Sequence, residues 1–508
     1  MATMEPTRKG ASAPGRRDDA LEKRVMRGAS WIVGSGLIAR AIGAVNLIIV
    51  ARLLAPADFG LVAVAVTVMQ LLQGVSDIGV AQVVVRMRDS RRPEMDTLFT
   101  LSALRGVIIA ALLVGFAPLA AAIYDDPRMG GVFLGVAATP LLFGLVNPRF
   151  YEFERAIEFS YEFALTLAVK LVAVAVSIGV ALIFRSYWAI ILGMAAGAAA
   201  HLGLSYALRP TLPRFTLRAF RKVFGLSGWI TGVSFLSALN NKLDAPILAR
   251  FVGAGGAGAY FMGLQLSEMA MGQIAQPLSR AIYPGLSSLQ GEAARMRNAY
   301  LRGVEALGVF ALPAAVGLAL VAHDATSLLL GAQWGDAAMV IAYLAPVAGL
   351  QSIFYATAGY AVAAGAVRLV FFRELIFLSI RLPVFIAATI LYGLKGAVIS
   401  AAILGIFQIM LTLFLYARVS GDSVLRPVIA ARRSLAAAAA MAVVLVAISP
   451  MVQPVFSDAL RLCAMVGLGA LVYVVVLGAL WALEGRPAGV EGSIANVIAE
   501  KRASFLTP

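Results

Sequence analysis

Cysteine, histidine and charge are what this sequence has least of. One cysteine, Cys463, excludes an intrachain disulfide and a cysteine cluster for metal. The two histidines, His201 and His323, lie far apart and offer neither a metal-ligand spacing nor a triad, so no metal site is expected. Charged residues make up 14% of the 508, against about a quarter in a soluble domain. Long polar stretches are equally scarce, and no loop has room for a soluble domain. What fills the space is Ala, Val, Leu, Ile and Gly, with 61% of the chain hydrophobic and an ordinary aromatic share of 9%. The 48 glycines fit as well, since glycine is commoner in membrane helices than in soluble ones. This is the composition of a chain whose outer surface faces hydrocarbon.

Acidic residues number 27 against 42 basic ones, a net charge of +15. In a soluble protein that excess would point to nucleic acid. Here it points to cytosolic loops, where membrane proteins collect Lys and Arg, and nucleic acid is not expected as a partner. Residues 1–27 are polar and carry Arg8, Lys9, Arg16, Arg17, Lys23, Arg24 and Arg27. No apolar stretch there ends in a small-residue cleavage site, so they read as a cytosolic tail before an uncleaved first span.

A spanning helix needs about 20 mostly apolar residues. Fourteen segments qualify: 29–51, 59–85, 97–123, 130–148, 161–184, 187–208, 225–249, 257–284, 300–322, 337–361, 370–393, 396–417, 434–453 and 460–482. With the N-terminus in the cytosol and residues at span edges counted with the adjoining segment, 31 basic residues fall inside and 6 outside, the other five lying deeper in spans. A miscount by one span would scramble that bias, so it supports both the count and cytosolic termini.

The halves echo one another. VARLLAPADFG at 50–60 aligns with LARFVGAGGAG at 248–258, placing Arg52 on Arg250 and Gly60 on Gly258 at an offset of 198. LRGV at Leu104–Val107 recurs at Leu301–Val304 with offset 197. Parallel six-helix repeats follow, related by an axis along the membrane normal, with substrate between them. The expected architecture is all-α: a tail (1–27), a first lobe (28–208), a basic linker (209–224), a second lobe (225–417), a basic loop (418–433), two additional spans (434–482) and a cytosolic tail (483–508). Over 211–224, Phe215, Leu217, Phe220 and Phe224 alternate with basic residues. That pattern fits either an interfacial helix coupling the lobes or a basic loop.

Ionisable groups inside spans are costly and are functional candidates by default. Arg40 lies near the middle of span 1, about 20 Å along the helix from Arg27. Its face carries Gly36, Gly43 and Ala44, small residues that border a cavity or another helix rather than lipid. It reads as a cavity-lining cation or as half of an ion pair. Arg105, Lys170 and Arg381 lie two to three turns inside the cytosolic edge of their spans, where snorkelling competes with function. Lys170 shares a face with Thr166, Ala173 and Ser177. Lys242 sits deeper. Span 7 shows a polar face of Ser234, Ser237, Asn241 and Asp244, with Asn240 beside it. Gln70, Gln73 and Asp77 line a face of span 2, and Gln265, Glu268, Gly272 and Gln276 a face of span 8. Interhelical hydrogen bonding is the plain alternative for these stripes. Five deep cations suit an anionic group such as phosphate or pyrophosphate. The amide stripes, with Gln70, Gln73, Asn240 and Asn241, suit a hydroxylated partner such as sugar. Asp77, Asp244 and Glu268 could couple transport to H⁺ or Na⁺; no other cofactor is implied. Pro118, Pro140, Pro277, Pro313, Pro346 and Pro383 interrupt spans and offer kinks or hinges.

The stretch VARLLAPADFGLVAVAVTVMQLLQGVSDIGVAQVVVR, with Trp31, Ala51–Arg52, Pro56, Asp58–Phe59–Gly60, and Gly79 before Arg86, resembles the oligosaccharide flippases of bacterial polysaccharide export. These belong to the multidrug/oligosaccharidyl-lipid/polysaccharide exporter superfamily. Asn240 and Asp244 followed by Gly258 and Tyr260 look like the same family. The resemblance implies that a polyprenyl-pyrophosphate-linked oligosaccharide is carried across the inner membrane by alternating access, beside membrane lipids and with polysaccharide polymerase and export machinery as further partners. A lipid II flippase is the close alternative, since two C-terminal spans occur there too. A drug/cation antiporter would favour negative charge in its site, against Arg40, Arg105 and Lys170. A membrane polymerase or glycosyltransferase would need catalytic residues in an outer loop, and Asp125–Asp126 is the one acidic pair there. No enzyme activity is expected.

Reporter fusions after residues 126 and 335 should report the periplasm, and a fusion after residue 290 the cytosol. A cytosolic signal at 335 breaks the parity of the second half and with it the repeat.

Overall fold

The computed structural model describes residues 34, 36, 38–76, 84, 92–155, 159–218, 228–269, 289, 291–452, 458–486 and 492. Every regular element among them is helical. Helix α1 covers 38–53, α2 Pro56–Val75, α3 Arg92–Tyr124, α4 Arg128–Gly144, α5 Phe159–Phe184 and α6 Trp188–Leu208. The second half continues with α7 Gly228–Lys242, α8 Asp244–Phe251, α9 over 254–269, α10 Ala293–Leu320, α11 Ala322–Leu329, α12 Gly335–Ile353 and α13 Ala356–Ala363. Last come α14 Val367–Ser420, α15 Arg426–Ala430, α16 Arg432–Val452 and α17 Asp458–Leu483. Nine helices among the described residues are long and apolar enough to cross a membrane. Much of their large apolar side-chain surface is exposed, including Ile183, Leu391, Val443 and Val474. Burying such surface is worth roughly 25 cal/mol per Å² in water, so its exposure marks a lipid-facing exterior. The chain is an all-α, multi-pass membrane protein.

One of the nine is really two. Helix α14 has 54 residues, which would reach about 80 Å at 1.5 Å per residue if straight. It folds back at Gly393, whose φ of 60° and ψ of −143° lie outside helical space. A Cβ at Gly396 would collide with the carbonyl of Ala388, eight residues earlier, a contact no straight helix makes. The break falls where the sequence separates spans 11 and 12. Breaks also divide span 7 at Leu243 and span 10 at Phe354–Tyr355. Pro118, Pro140, Pro313, Pro346 and Pro383 all lie inside helices, while Pro277 is outside the described residues.

The described residues form two compact units that interleave in sequence. One draws on the chain up to Val50, on Ser76–Phe116 and on Phe133–Gly225. Its α5 and α6 pack closely where Gly193 and Gly197 face Ser177 and Ala173. The linker begins as part of this unit and is not a helix over 209–218. Pro210 and Pro213 remove donors and favour extended backbone before them. Asn147 holds the strand-like strap by donating from Nδ2 to the carbonyls of Arg209 (2.9 Å) and Thr211 (3.1 Å). The Arg214 N–H donates to Asp96 and that of Thr216 to Thr100. Phe215 packs on Phe99. Of the two readings for the linker, the described part takes the loop; 219–224 lie outside the described residues.

The other unit draws on Ala51–Val75, Ala117–Val132 and the chain from Leu226 on. One of its cores joins α10, α13 and the end of α14 to α16 and α17. At its head, α2 and α9 start against each other. A Cβ on Gly60 would collide with the Ala254 carbonyl and lie 2.9 Å from the Gly258 nitrogen. A Cβ on Gly258 would collide with the Pro56 carbonyl and lie 2.9 Å from the Gly60 nitrogen. The offset of 198 carries Pro56 to Ala254 and Gly60 to Gly258. The contact is therefore reciprocal, as a two-fold axis through it requires.

Gly60→Ala and Gly258→Ala should each lower the melting temperature in detergent, because overpacking a close contact costs about 1–3 kcal/mol. Gly317→Ala, where nothing lies within 4 Å, should not. Equal melting of all three variants would mean the helices part freely.

Candidate functional site

The head of α2 explains the APADFG motif. Pro56 occupies the first helical position, where its missing N–H costs nothing. The Ala55 N–H donates to the Asp58 carboxylate at 3.1 Å, capping the start. Phe59 meets the Trp334 ring edge to face at 5.2 Å. Around this start two helix C-termini cap each other. The Ala51 carbonyl, at the end of α1, accepts from Trp334 Nε1 (2.9 Å) and Gln333 Nε2 (3.1 Å). Arg52 in turn donates to the carbonyls of Leu329 (2.8 Å) and Leu328, at the end of α11. Helix ends leave such carbonyls without intrahelical partners, so each end supplies what the other lacks. The sequence marks Arg52 and Gly60 through the repeat; Gln333 and Trp334 leave no such trace.

Deeper in the same unit lies a buried polar network. Asp244 opens α8 and is 5% exposed. It accepts from Arg381 of α14 at 2.5 Å and from the Tyr260 hydroxyl of α9 at 2.7 Å. The Arg381 guanidinium also lies 5.9 Å from the ring centre of Phe377 and 5.7 Å from that of Phe385, one turn away on either side. A turn before Asp244, Asn240 donates to the Glu374 carboxylate at 2.7 Å, and Glu374 pairs with Arg373. The network sets two carboxylates against two guanidiniums and is neutral. It splits the polar face read on span 7. Asn240 and Asp244, four apart, share the buried side, whereas Ser234, Asn241 and Lys242 are exposed. Asn241 donates to the Ser237 carbonyl of its own helix. Glu374 is a member that the sequence reading missed; its signal is an acid seven residues before Arg381 on one helix face.

In the other unit, Arg40 is half-buried on α1 and Lys170 half-buried on α5. A Cβ at Gly43, one turn from Arg40, would lie 3.2 Å from Lys170 Nζ. The structure therefore brings these two cations to one stretch of α1. Lys170 makes no hydrogen bond or ion pair with any described residue. Ala173 and Ser177, read as companions of Lys170 on an inward face, instead pack on α6. Arg105 donates to Ser76 at 3.0 Å. Gln70 is exposed and Gln73 half-buried on α2, and Glu268 is exposed on α9. Asp77, Gly272, Gln276, Trp31, Gly79 and Arg86 lie outside the described residues. His201 sits between the edges of Phe143 and Phe150. No cluster of metal-ligating side chains occurs among the described residues.

The fold is shared with solved membrane transporters. It superposes on the lipid II flippase MurJ in an inward closed conformation with a TM-score of 0.69, at 14% identity, covering 88% of this chain and 98% of that one. Among curated proteins, the lipopolysaccharide biosynthesis protein WzxC of Escherichia coli K12 is 23% identical over 66% of this chain and 69% of its own. The succinoglycan biosynthesis transport protein ExoT of Rhizobium meliloti is 22% identical over 65% and 66%. Residues 49–339 match the family described as polysaccharide biosynthesis protein. With more than half its length in that match, the chain belongs to this family, within the superfamily that the α1–α2 motif suggested.

Breaking the Asp244–Arg381 pair from one side, by Asp244→Asn or Arg381→Met, should destabilise the protein by about 3–5 kcal/mol. The double substitution should recover part of that loss. Detergent melting of the four proteins closes the cycle, and strictly additive losses would show that the two groups do not depend on each other.

Proposed function

We propose that this chain is a flippase that moves polyprenyl-pyrophosphate-linked oligosaccharide repeat units across the inner membrane by alternating access, supplying exopolysaccharide, capsule or O-antigen synthesis. The family match over residues 49–339 carries this reading, and the roles named for WzxC and ExoT, lipopolysaccharide biosynthesis and succinoglycan biosynthesis transport, agree with it. The likeness to MurJ speaks to the fold alone. The protein is proposed to perform no covalent chemistry, with both termini in the cytosol and the polymerase and export machinery downstream.

The residues assign parts to this task. Lys170 reaches Gly43, one turn from Arg40 on α1, and a lipid pyrophosphate is the anion that suits the two; the Arg fork donates two parallel hydrogen bonds to phosphate. Arg381 is a poorer candidate because Asp244 already neutralises it. The reciprocal caps of Arg52, Gln333 and Trp334, with the Gly60–Gly258 crossing, would seal the end away from the basic loops while substrate enters from the other. A coupling ion, H⁺ or Na⁺, would have to take Asp244 from Arg381 or use Glu268 or Asp77 instead.

The test is flipping of a fluorescent lipid-linked oligosaccharide in proteoliposomes. Wild type should transport it. Arg40→Ala should lose roughly ten- to a hundred-fold, the cost of one charge-assisted contact, while inserting normally. Arg40→Lys should recover part, keeping the charge but not the fork. A wild-type protein that flips no lipid-linked sugar overturns the function; an active Arg40→Ala overturns only the site.

A further inference from the structure

The unit that holds Asp244 also carries a basic cleft that shares no residue with that network. The first turns of α10, the α15–α16 junction and the end of α17 wall an open cleft of about 590 Å³. Arg302, Arg432 and Arg433 line it with Asn298, Glu305 and Glu484. Three guanidiniums face two carboxylates, so the lining carries one excess positive charge. The pairing shows where that charge resides. Arg432 donates to both Glu484 oxygens at 3.1 and 2.6 Å, and Arg433 pairs with Glu305. Arg302 makes no hydrogen bond or ion pair with any described residue.

The surroundings of the cleft are amphipathic. Leu483 adjoins Glu484 and is 83% exposed; Ile429 adjoins Ala430 and is 53% exposed. Trp481 lies one turn before the end of the wall, with the Arg486 guanidinium over its ring at 5.9 Å. Tryptophan beside arginine at a helix end marks the headgroup layer. A ligand for this place therefore needs one negative charge in the cleft and an apolar body on its rim.

We propose that the cleft holds the phosphodiester headgroup of an anionic glycerophospholipid of the surrounding leaflet, with Arg302 as its principal contact. Basic pockets between spans at the membrane surface suit such headgroups. The charge selects among phosphates. A phosphodiester brings the single negative charge that the lining lacks, whereas a pyrophosphate diester brings a second with nothing to balance it. The site is thus separate from that proposed for the transported lipid and does not depend on it. Its occupant bridges α10 to α16 and α17, the elements it touches.

The experiment uses the full chain in detergent, with melting temperature followed as phosphatidylglycerol, phosphatidylcholine or inorganic phosphate is added. Binding to the folded state raises melting temperature by mass action. Phosphatidylglycerol should raise it saturably, and phosphatidylcholine and phosphate should not. Arg302→Glu should weaken the apparent phosphatidylglycerol affinity by roughly tenfold or more. The lipid-free melting temperature should stay unchanged, since Arg302 bonds to nothing in the described chain. Should Arg302→Glu fold poorly, Arg302→Ala serves, with bound lipid counted by native mass spectrometry. A response to phosphate alone would overturn the headgroup in favour of a free-anion site. A wild-type lipid response in the Arg302 variants, or no response to phosphatidylglycerol at all, would overturn the site.

Discussion

Two helices that begin in backbone contact constrain everything near them. At Gly60 and Gly258 there is no room for a methyl group on either side, so α2 and α9 are fixed at the closest approach that helices allow. Small residues at such crossings let backbones meet where water supplies no hydrophobic drive. The partners follow from it. With α2 held there, the end of α1 arrives beside Trp334, and its Ala51 carbonyl finds two donors. Arg52, the next residue, is left to reach the end of α11. One steric condition thus satisfies the orphaned carbonyls of two helices in a place where an unpaired carbonyl would be expensive.

The charges inside the helices are managed in two ways. Near Asp244 each carboxylate is matched to a guanidinium, with Tyr260 and Asn240 taking the remaining positions. Such a network is costly to half-break, so it holds α8 and α14 in one arrangement. Lys170 is treated differently: it is half-buried and lies against a glycine. A half-buried cation that no acid among the described residues pairs is available to something from outside the chain.

The helices were legible because a spanning helix must satisfy its own backbone and show apolar residues all round. The segments 130–148 and 434–453 are helices as Arg128–Gly144 and Arg432–Val452. The finer geometry was not legible. A face read at helical spacing does not say which of its residues is buried: of the stripe on span 7, Asp244 is buried and Asn241 exposed. Arg381 reads as a free deep cation because its partner lies 137 residues away. Gly60 and Gly258 were visible as a matched pair in the repeat. That they touch could be seen only from the structure, since sequence offset relates equivalent positions and says nothing of distance to the axis. Trp334 carries no pattern at all; its value lies in one indole N–H pointing at one carbonyl.

The fold-back of α14 at Gly393 bears on how the chain is made. Its two arms together run for 54 residues with a single non-helical residue between them. No connecting loop exists that could wait on either side of the bilayer while one arm inserts. Two arms joined so tightly end as a hairpin with both far ends on one side of the membrane. The orientation of either arm dictates that of the other. Charges near this turn, of which Lys395 is the basic one, have little power to reorient them separately. The basic residues at the far ends, Arg368 and Arg418, therefore act on the orientation of the pair rather than on either arm alone.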